Sequence, residues 1–222
     1  MDDADEGPWA LAGAPVGRFG DTVRDRVARE LRDRILTGRH QRDERLDLDA
    51  VAAELGVSRT PVREACLALQ TEGLLRMAPR SGVTVIGLEP GEVVDNFRLM
   101  ARLSGFAAEL AAERMTSEEL ADVETSQEAM RSGDRLAEHN WRFHRDINRA
   151  SRSRRLISLI AQTGRTIPRT FLEVFPQHVP CALDEHDELV AALRRGDGVA
   201  AREVTERHYA VPAELLSGHH GS

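Results

Sequence analysis

The chain has 222 residues, of which 41% are hydrophobic, and this is enough for two small domains with cores of their own. It contains no apolar run near the roughly 20 residues that cross a bilayer and no signal peptide, so we expect no membrane partner. Its two cysteines, Cys66 and Cys181, stand far apart among apolar residues. This pattern favours buried free thiols and a cytoplasmic location over disulfides and secretion.

The formal net charge of the whole chain is −7, which argues against a nucleic-acid partner. The charge is unevenly distributed along the chain, however. Residues 20–88 carry twelve arginines and eleven acidic residues, a net charge of +1. Residues 1–19 and 89–222 carry net charges of −3 and −5. The segment 20–88 is therefore the candidate for contact with DNA, and its cations are all arginine, which forms paired hydrogen bonds with phosphate.

The first part of the chain predicts a leader followed by two helices. Residues 1–19 are acidic and rich in Gly, Ala and Pro, which is typical of a flexible segment. Residues 20–37 place apolar side chains four residues apart, and residues 48–55 repeat them at helical spacing. Both segments end at a glycine, which is a common helix terminator.

A third helix and a hairpin complete this domain. Ser58 is a suitable N-cap, Pro61 is tolerated in the first turn, and Gly73 ends the helix. Residues 74–86 then form two β-prone runs around Pro-Arg-Ser-Gly, which predicts a hairpin. Three helices and a hairpin over residues 20–88 predict a winged helix-turn-helix domain.

From residue 89 to 216 the pattern is helical almost throughout, so the fold class is mainly α. The predicted helices lie near 90–114, 117–131, 134–150, 152–175, 181–195 and 197–216. About six helices without a strand predict an all-helical bundle, and residues 217–222 predict a polar tail.

The start of the third helix carries the groups that a major-groove contact requires. A helix-turn-helix inserts the beginning of its second helix into the groove. Ser58 and Thr60 offer hydroxyls to phosphate, and Arg59 and Arg63 lie one turn apart, able to bind guanine or phosphate. Arg80 at the hairpin tip can reach the adjacent DNA backbone or the minor groove. Solvated arginines are the alternative, but the whole set favours DNA binding.

The stretch LGVSRTPVREACLALQTEGLL (55–75) resembles the DNA-binding domain of GntR-type bacterial transcription regulators. The resemblance implies a homodimer on a palindromic double-stranded operator. It assigns DNA contacts to Ser58, Arg59, Thr60, Arg63, Arg80 and Gly82. The chain departs from the pattern at Asp49, where many members have a further arginine, so one contact is expected to be missing.

Three histidines and an asparagine in the helical part form a candidate metal site. Asn140 and His144 are four residues apart and project from one helix face, while His186 and His208 belong to two other predicted helices. Imidazole nitrogens and an amide oxygen suit a divalent ion such as Zn²⁺, Ni²⁺ or Mn²⁺. Spacing alone does not separate this site from ordinary surface histidines.

Residues 92–212 resemble the effector-binding FCD domain of the FadR subgroup, in its shorter, VanR-like branch. The shared features are AAERMT, Asn-x-x-Phe-His, Glu-His before Gly-Asp, and a late Arg-His. The resemblance implies that Asn140, His144, His186 and His208 bind a divalent metal ion inside the bundle. Asn140 replaces a frequent aspartate, which predicts weaker metal binding.

The first bundle helix departs from the family at the positions that face the effector. Met100 and Ser104 stand where the family often has Arg and Glu. Arg98 and Arg102 lie nearby and are the candidate effector contacts.

The sequence thus predicts a cytoplasmic, homodimeric DNA-binding transcription regulator. We expect it to repress transcription rather than activate it. A small organic-acid metabolite bound at or near the metal is expected to release it from DNA. One alternative is a metal-dependent enzyme, with Glu185 and Asp187 as the candidate general bases beside His186. The other is an architectural DNA-binding protein whose bundle only dimerises.

Overall fold

The computed structural model describes residues 22–78, 82–133, 135–167 and 176–212. The chain divides into two compact units between Glu89 and Pro90. The predicted leader, the hairpin tip with Arg80 and the polar tail lie outside the described residues. The described chain is mainly helical, and the predicted fold class is confirmed.

The N-terminal unit consists of three helices and a small sheet. The elements are α1 (Val23–Leu36), β1 (Arg45–Leu46), α2 (Leu48–Glu54), α3 (Arg59–Thr71), β2 (Leu75–Ala78) and β3 (Gly82–Val85). The sheet is antiparallel in the order β1-β3-β2. The sequence analysis did not predict β1, because two residues are too few to show a strand periodicity.

The apolar faces of the three helices and the sheet share one core in this unit. A capping box of Thr22 and Asp25 begins α1. Arg32 forms two 2.8 Å hydrogen bonds with Glu72, which connect α1 to the end of α3. The core includes Leu31, Val62, Cys66, Leu69, Leu74 and Val85.

The second unit is helical in all its described elements. They are α4 (Pro90–Arg114), α5 (Ser117–Arg131), α6 (Leu136–Ala150), α7 (Arg154–Gly164), α8 (Val179–Arg194) and α9 (Gly198–His208), with a 3₁₀ turn at Pro176–His178. The helix predicted over 152–175 is interrupted: α7 ends at Gly164, after which the amides of residues 165–167 bond three residues back. Residues 168–175 lie outside the described part of the chain.

Helix α4 packs against α6, α7 and α9 and is the centre of this unit. Gly105 allows close approach of α9, since a Cβ there would lie 2.8 Å from Cγ of Glu206. The small side chains of Ala107, Ala108 and Ala111 complete the buried face of α4. Among the described residues, no helix is both long and apolar enough to cross a membrane.

The two cysteines are free thiols with different surroundings. Cys66 is fully buried on α3, whereas Cys181 is exposed in the first turn of α8. The prediction that Cys181 is buried is therefore wrong. Its apolar neighbours in sequence include Ala182, which faces the interior while Cys181 points outward.

Candidate DNA interface and histidine site

The predicted DNA-contacting residues at the start of α3 share one exposed surface. Ser58, Arg59, Thr60 and Arg63 are all exposed. Ser58 is the N-cap residue of α3, but its hydroxyl makes no capping hydrogen bond. The first-turn amides of a helix have no intrahelical acceptor and carry partial positive charge. This end of α3 therefore offers both a hydroxyl and backbone amides to a phosphate.

The two arginines of this surface differ in their surroundings. Nη1 of Arg59 donates to Oδ2 of Asp49 at 2.6 Å, so its charge is already paired within the unit. Within the described residues, Arg63 has no ion pair and is fully available to a partner.

The small sheet adds two basic side chains that sequence reasoning did not assign. The strand register places Arg45 and Arg76 on either side of Thr84, on the exposed face of the sheet. Gly82 begins β3 with φ +83°, and a Cβ there would lie 3.0 Å from Nε of Arg45. The positive φ favours glycine here, and a larger residue would also have to displace the guanidinium of Arg45. Arg45 was not predicted as a DNA contact because β1 has only two residues and shows no strand pattern in the sequence.

The three predicted histidines converge inside the second unit. His144 comes from α6, His186 from α8, and His208 is the last residue of α9. One ring nitrogen of each lies within 4.8 Å of the others. Half-buried Asn140 stands one turn before His144 on the same side of α6. His178 is also buried, with its ring centroid 6.1 Å from that of His208.

Hydrogen bonds fix which nitrogen two of these rings present to the cluster. Nδ1 of His208 lies 2.8 Å from Oε2 of Glu185, and Nδ1 of His186 lies 3.2 Å from Oε1 of Gln127. Since both partners are acceptors, each Nδ1 carries a hydrogen, and Nε2 is the nitrogen that each ring has left for the cluster. Nε2 of His186 is buried and has no hydrogen-bond partner within the described residues.

The electrostatics of His144 and His186 favour the neutral imidazole, which is the form that binds metal. Burial, and then the proximity of His208, hold the pKa of His144 well below its ordinary value. Burial, followed by the neighbouring histidines, does the same to the pKa of His186. Burial tends to raise the pKa of Glu185, but the hydrogen bond and charge of His208 outweigh it and lower that pKa. Neutral imidazoles, and a histidine whose second ring nitrogen donates to a carboxylate, are typical of divalent metal ligands, so the donor set fits such an ion.

Two aromatic residues and a glutamine complete the surroundings of the cluster. Phe143 stacks on His186 with ring centroids 4.2 Å apart. Tyr209 lies 5.8 Å from His144 between ring centroids, and burial raises its pKa to about 12. Gln127 was missed by sequence reasoning, because it belongs to no local motif.

The structure does not bring Arg98 and Arg102 to the histidine cluster. Their side chains are 76% and 75% exposed, and they pair with Asp95 and Glu206. Met100 and Ser104, which lie close to them along α4, are buried instead. Among the described residues of this unit, the buried polar and charged side chains include no arginine.

Comparison with known proteins agrees with both halves of this description. The model of the bacterial regulatory proteins of the gntR family matches residues 23–85, and the FCD domain model matches residues 95–211. The chain is 32% identical over 167 residues to a probable D-xylose utilization operon transcriptional repressor of Paenarthrobacter nicotinovorans, covering 72% of this chain and 74% of that protein. It is 26% identical over 206 residues to the Exu regulon transcriptional regulator of Escherichia coli K12, covering 82% and 80%.

Solved structures share the fold. The Escherichia coli protein McbR/YncC superposes with a TM-score of 0.70 at 24% identity, over 90% of this chain and 99% of that chain. The family and the names of its relatives indicate transcription regulators, so the alternative of a metal-dependent enzyme is wrong. The chain belongs to the GntR family of bacterial DNA-binding transcription regulators and carries a C-terminal FCD domain.

Proposed function

We propose that this regulator is a homodimeric repressor of a palindromic operator. A small organic acid, bound at a metal ion in the FCD domain, would release it from DNA. The metal ligands are Asn140, His144, His186 and His208. One relative is named a repressor of a D-xylose utilization operon, which supports repression.

The DNA half of the proposal rests on the exposed start of α3. Ser58 and Thr60 would contact phosphates, and Arg59 and Arg63 would contact base edges or phosphates in the major groove. We place Arg80 and Gly82 of the hairpin at the adjacent backbone, together with Arg45 and Arg76 of the sheet. Phosphate contacts by arginine predict a steep loss of affinity with salt.

The observation that carries the metal half is the buried Nε2 of His186, which has no partner in the described structure and faces two further imidazoles. A buried polar atom without a partner is costly, and a divalent ion such as Zn²⁺, Ni²⁺ or Mn²⁺ would satisfy it. Such an ion would supply the positive charge that a carboxylate effector needs. No buried arginine of the described FCD residues offers that charge, so the effector would depend on the metal rather than on Arg98 or Arg102.

Release requires that the effector bind one arrangement of the dimer better than the other. Half-sites lie about 34 Å apart, or multiples of this, so a small change between the two recognition helices weakens specific binding. Coupling free energies between such sites are typically about 1–3 kcal/mol, a 5- to 150-fold change in operator affinity.

The test uses the full-length protein and an operator selected from a random duplex pool. Operator binding is followed by fluorescence anisotropy with zinc-loaded and chelator-treated protein while small organic acids are added. We expect tight binding by a dimer, and release by at least one acid only when metal is present. Operator binding by a metal-free protein that no acid affects would instead support the architectural alternative.

A further inference from the structure

Gln127 on α5 has every polar atom of its buried side chain engaged. The residue is 5% exposed. Its Nε2 donates to the carbonyl oxygen of Leu183 at 3.0 Å and to Oδ1 of Asp187 at 2.9 Å. Its Oε1 lies 3.2 Å from Nδ1 of His186. One side chain therefore joins α5 to three positions of α8.

These contacts allow only one orientation of the amide. Leu183 O and the Asp187 carboxylate are acceptors, so the NH₂ group must face them. A flipped amide would bring its carbonyl oxygen against two other oxygens. Arg131 also donates to Asp187, which holds that carboxylate in place. The oxygen of Gln127 is thereby forced toward His186.

The orientation of the Gln127 amide determines which nitrogen of the His186 ring carries the hydrogen. An amide oxygen can only accept, so Nδ1 of His186 must carry the hydrogen. Nε2 then keeps its lone pair and points away from Gln127. The stacked ring of Phe143, inclined by 24°, restricts rotation of the imidazole about its own axis. The ring is therefore fixed both in tautomer and in orientation.

We propose that Gln127 is the positioning residue that locks His186 in its Nδ1–H tautomer and so directs the Nε2 lone pair at the metal. This inference rests on the proposed metal function of the cluster. Residues that hold a metal-binding histidine in this way typically change metal affinity by about 10- to 100-fold when they are removed.

The experiment compares the wild type with Gln127→Met, which keeps the length of the side chain and removes all three hydrogen bonds. Long-range ¹H–¹⁵N spectra of metal-free, ¹⁵N-histidine-labelled full-length protein report the tautomer of each ring. The His186→Ala spectrum identifies the signals of His186. Zinc affinity is measured by competition with a chromophoric chelator. We expect the Nδ1–H tautomer in the wild type, its loss in Gln127→Met, and zinc affinity lowered by about 10- to 100-fold.

Two further variants separate positioning from stability. Ser151→Ala also removes a buried hydrogen bond, from Oγ to the carbonyl of Asn148, and should leave zinc affinity unchanged. In Gln127→Glu/Asp187→Asn, one carboxylate oxygen still accepts from Nδ1 and the new amide at position 187 can donate to the other, so this protein should retain the tautomer that Gln127→Met loses.

The outcomes distinguish this inference from the proposed function. A wild-type protein that binds no zinc would contradict the metal site itself, while its tautomer spectrum would still test the role of Gln127. An Nε2–H tautomer of His186 in the wild type overturns the inference without any variant. Unchanged zinc affinity in a folded Gln127→Met protein overturns it as well.

Discussion

Arg59 and Asp49 form an ion pair between α3 and α2, with Nη1 and Oδ2 2.6 Å apart. Asp49 stands where many related regulators have an arginine, so a contact that would attract DNA is replaced by a charge that engages Arg59. The two side chains are 63% and 67% exposed, and such pairs contribute at most about 1 kcal/mol. DNA phosphates can therefore displace Asp49 from Arg59, but the negative charge of Asp49 then repels them.

Removing that charge should strengthen DNA binding. In Asp49→Asn we expect affinity for any duplex to rise by roughly 5-fold at low salt, since about 1 kcal/mol of repulsion and competition is lost. The gain should shrink as salt increases. Fluorescence anisotropy with specific and random duplexes measures both effects.

Asp95→Asn is the matched control, because Asp95 is an equally exposed member of an ion pair, with Arg98, in the other unit. It should leave DNA affinity unchanged. If Asp49→Asn also leaves it unchanged, α2 does not lie near the duplex.

Arg63→Ala should cost more specific affinity than Arg59→Ala. Arg63 is exposed and unpaired in the part of the chain that the structure describes, so its whole interaction with DNA is gained on binding. We expect a loss of about 1–3 kcal/mol and relaxed preference at one base pair. Titration against operators with single base changes measures this. Exposed Arg154, in the FCD domain, provides the alanine control.

Replacing His144 and His208 together by alanine should remove metal without removing DNA binding. The cluster needs nitrogens from three helices, and one imidazole does not hold a divalent ion tightly. Elemental analysis should find no bound metal, and effector-driven release should disappear while operator affinity stays near the wild-type value. The His139→Ala protein is the control, since His139 lies outside the cluster. Full metal occupancy in the double variant would refute the proposed ligands.

The two cysteines should differ sharply in reactivity. Burial raises the pKa of Cys66 to about 11, so at pH 8 only about one such thiol in 1000 is ionised. Slight burial and the charges of Glu185 and Asp184 raise the pKa of Cys181, yet that thiol is exposed. A colourless disulfide reagent that releases a coloured thiolate should detect one thiol in the folded protein and two in denaturant. Labelling of Cys181 should accelerate as the pH rises toward 9, because the thiolate is the reactive form.

Sequence patterns were sufficient for the face of α3 that carries the predicted DNA contacts. Ser58, Arg59 and Arg63 were placed together because helix geometry alone determines which side chains share a face. The hairpin was recognised, but β1 was not, and with it Arg45 was missed. The burial of Cys181 was misjudged, because apolar neighbours in sequence do not determine which way a first-turn residue points.

The sequence by itself determined the mainly helical fold, the winged helix-turn-helix and the exposed face of α3, since each follows from local periodicity and capping. The histidines illustrate what it left open: their residue types are evident in the sequence, but His144 and His186 lie on different helices, α6 and α8, with α7 between them along the chain. Only the tertiary structure decided that three rings meet, that Gln127 lies within hydrogen-bond distance of one of them, and that Arg98 and Arg102 are exposed. The physical reason is that distances between elements depend on how whole helices pack, and no short-range pattern encodes that packing.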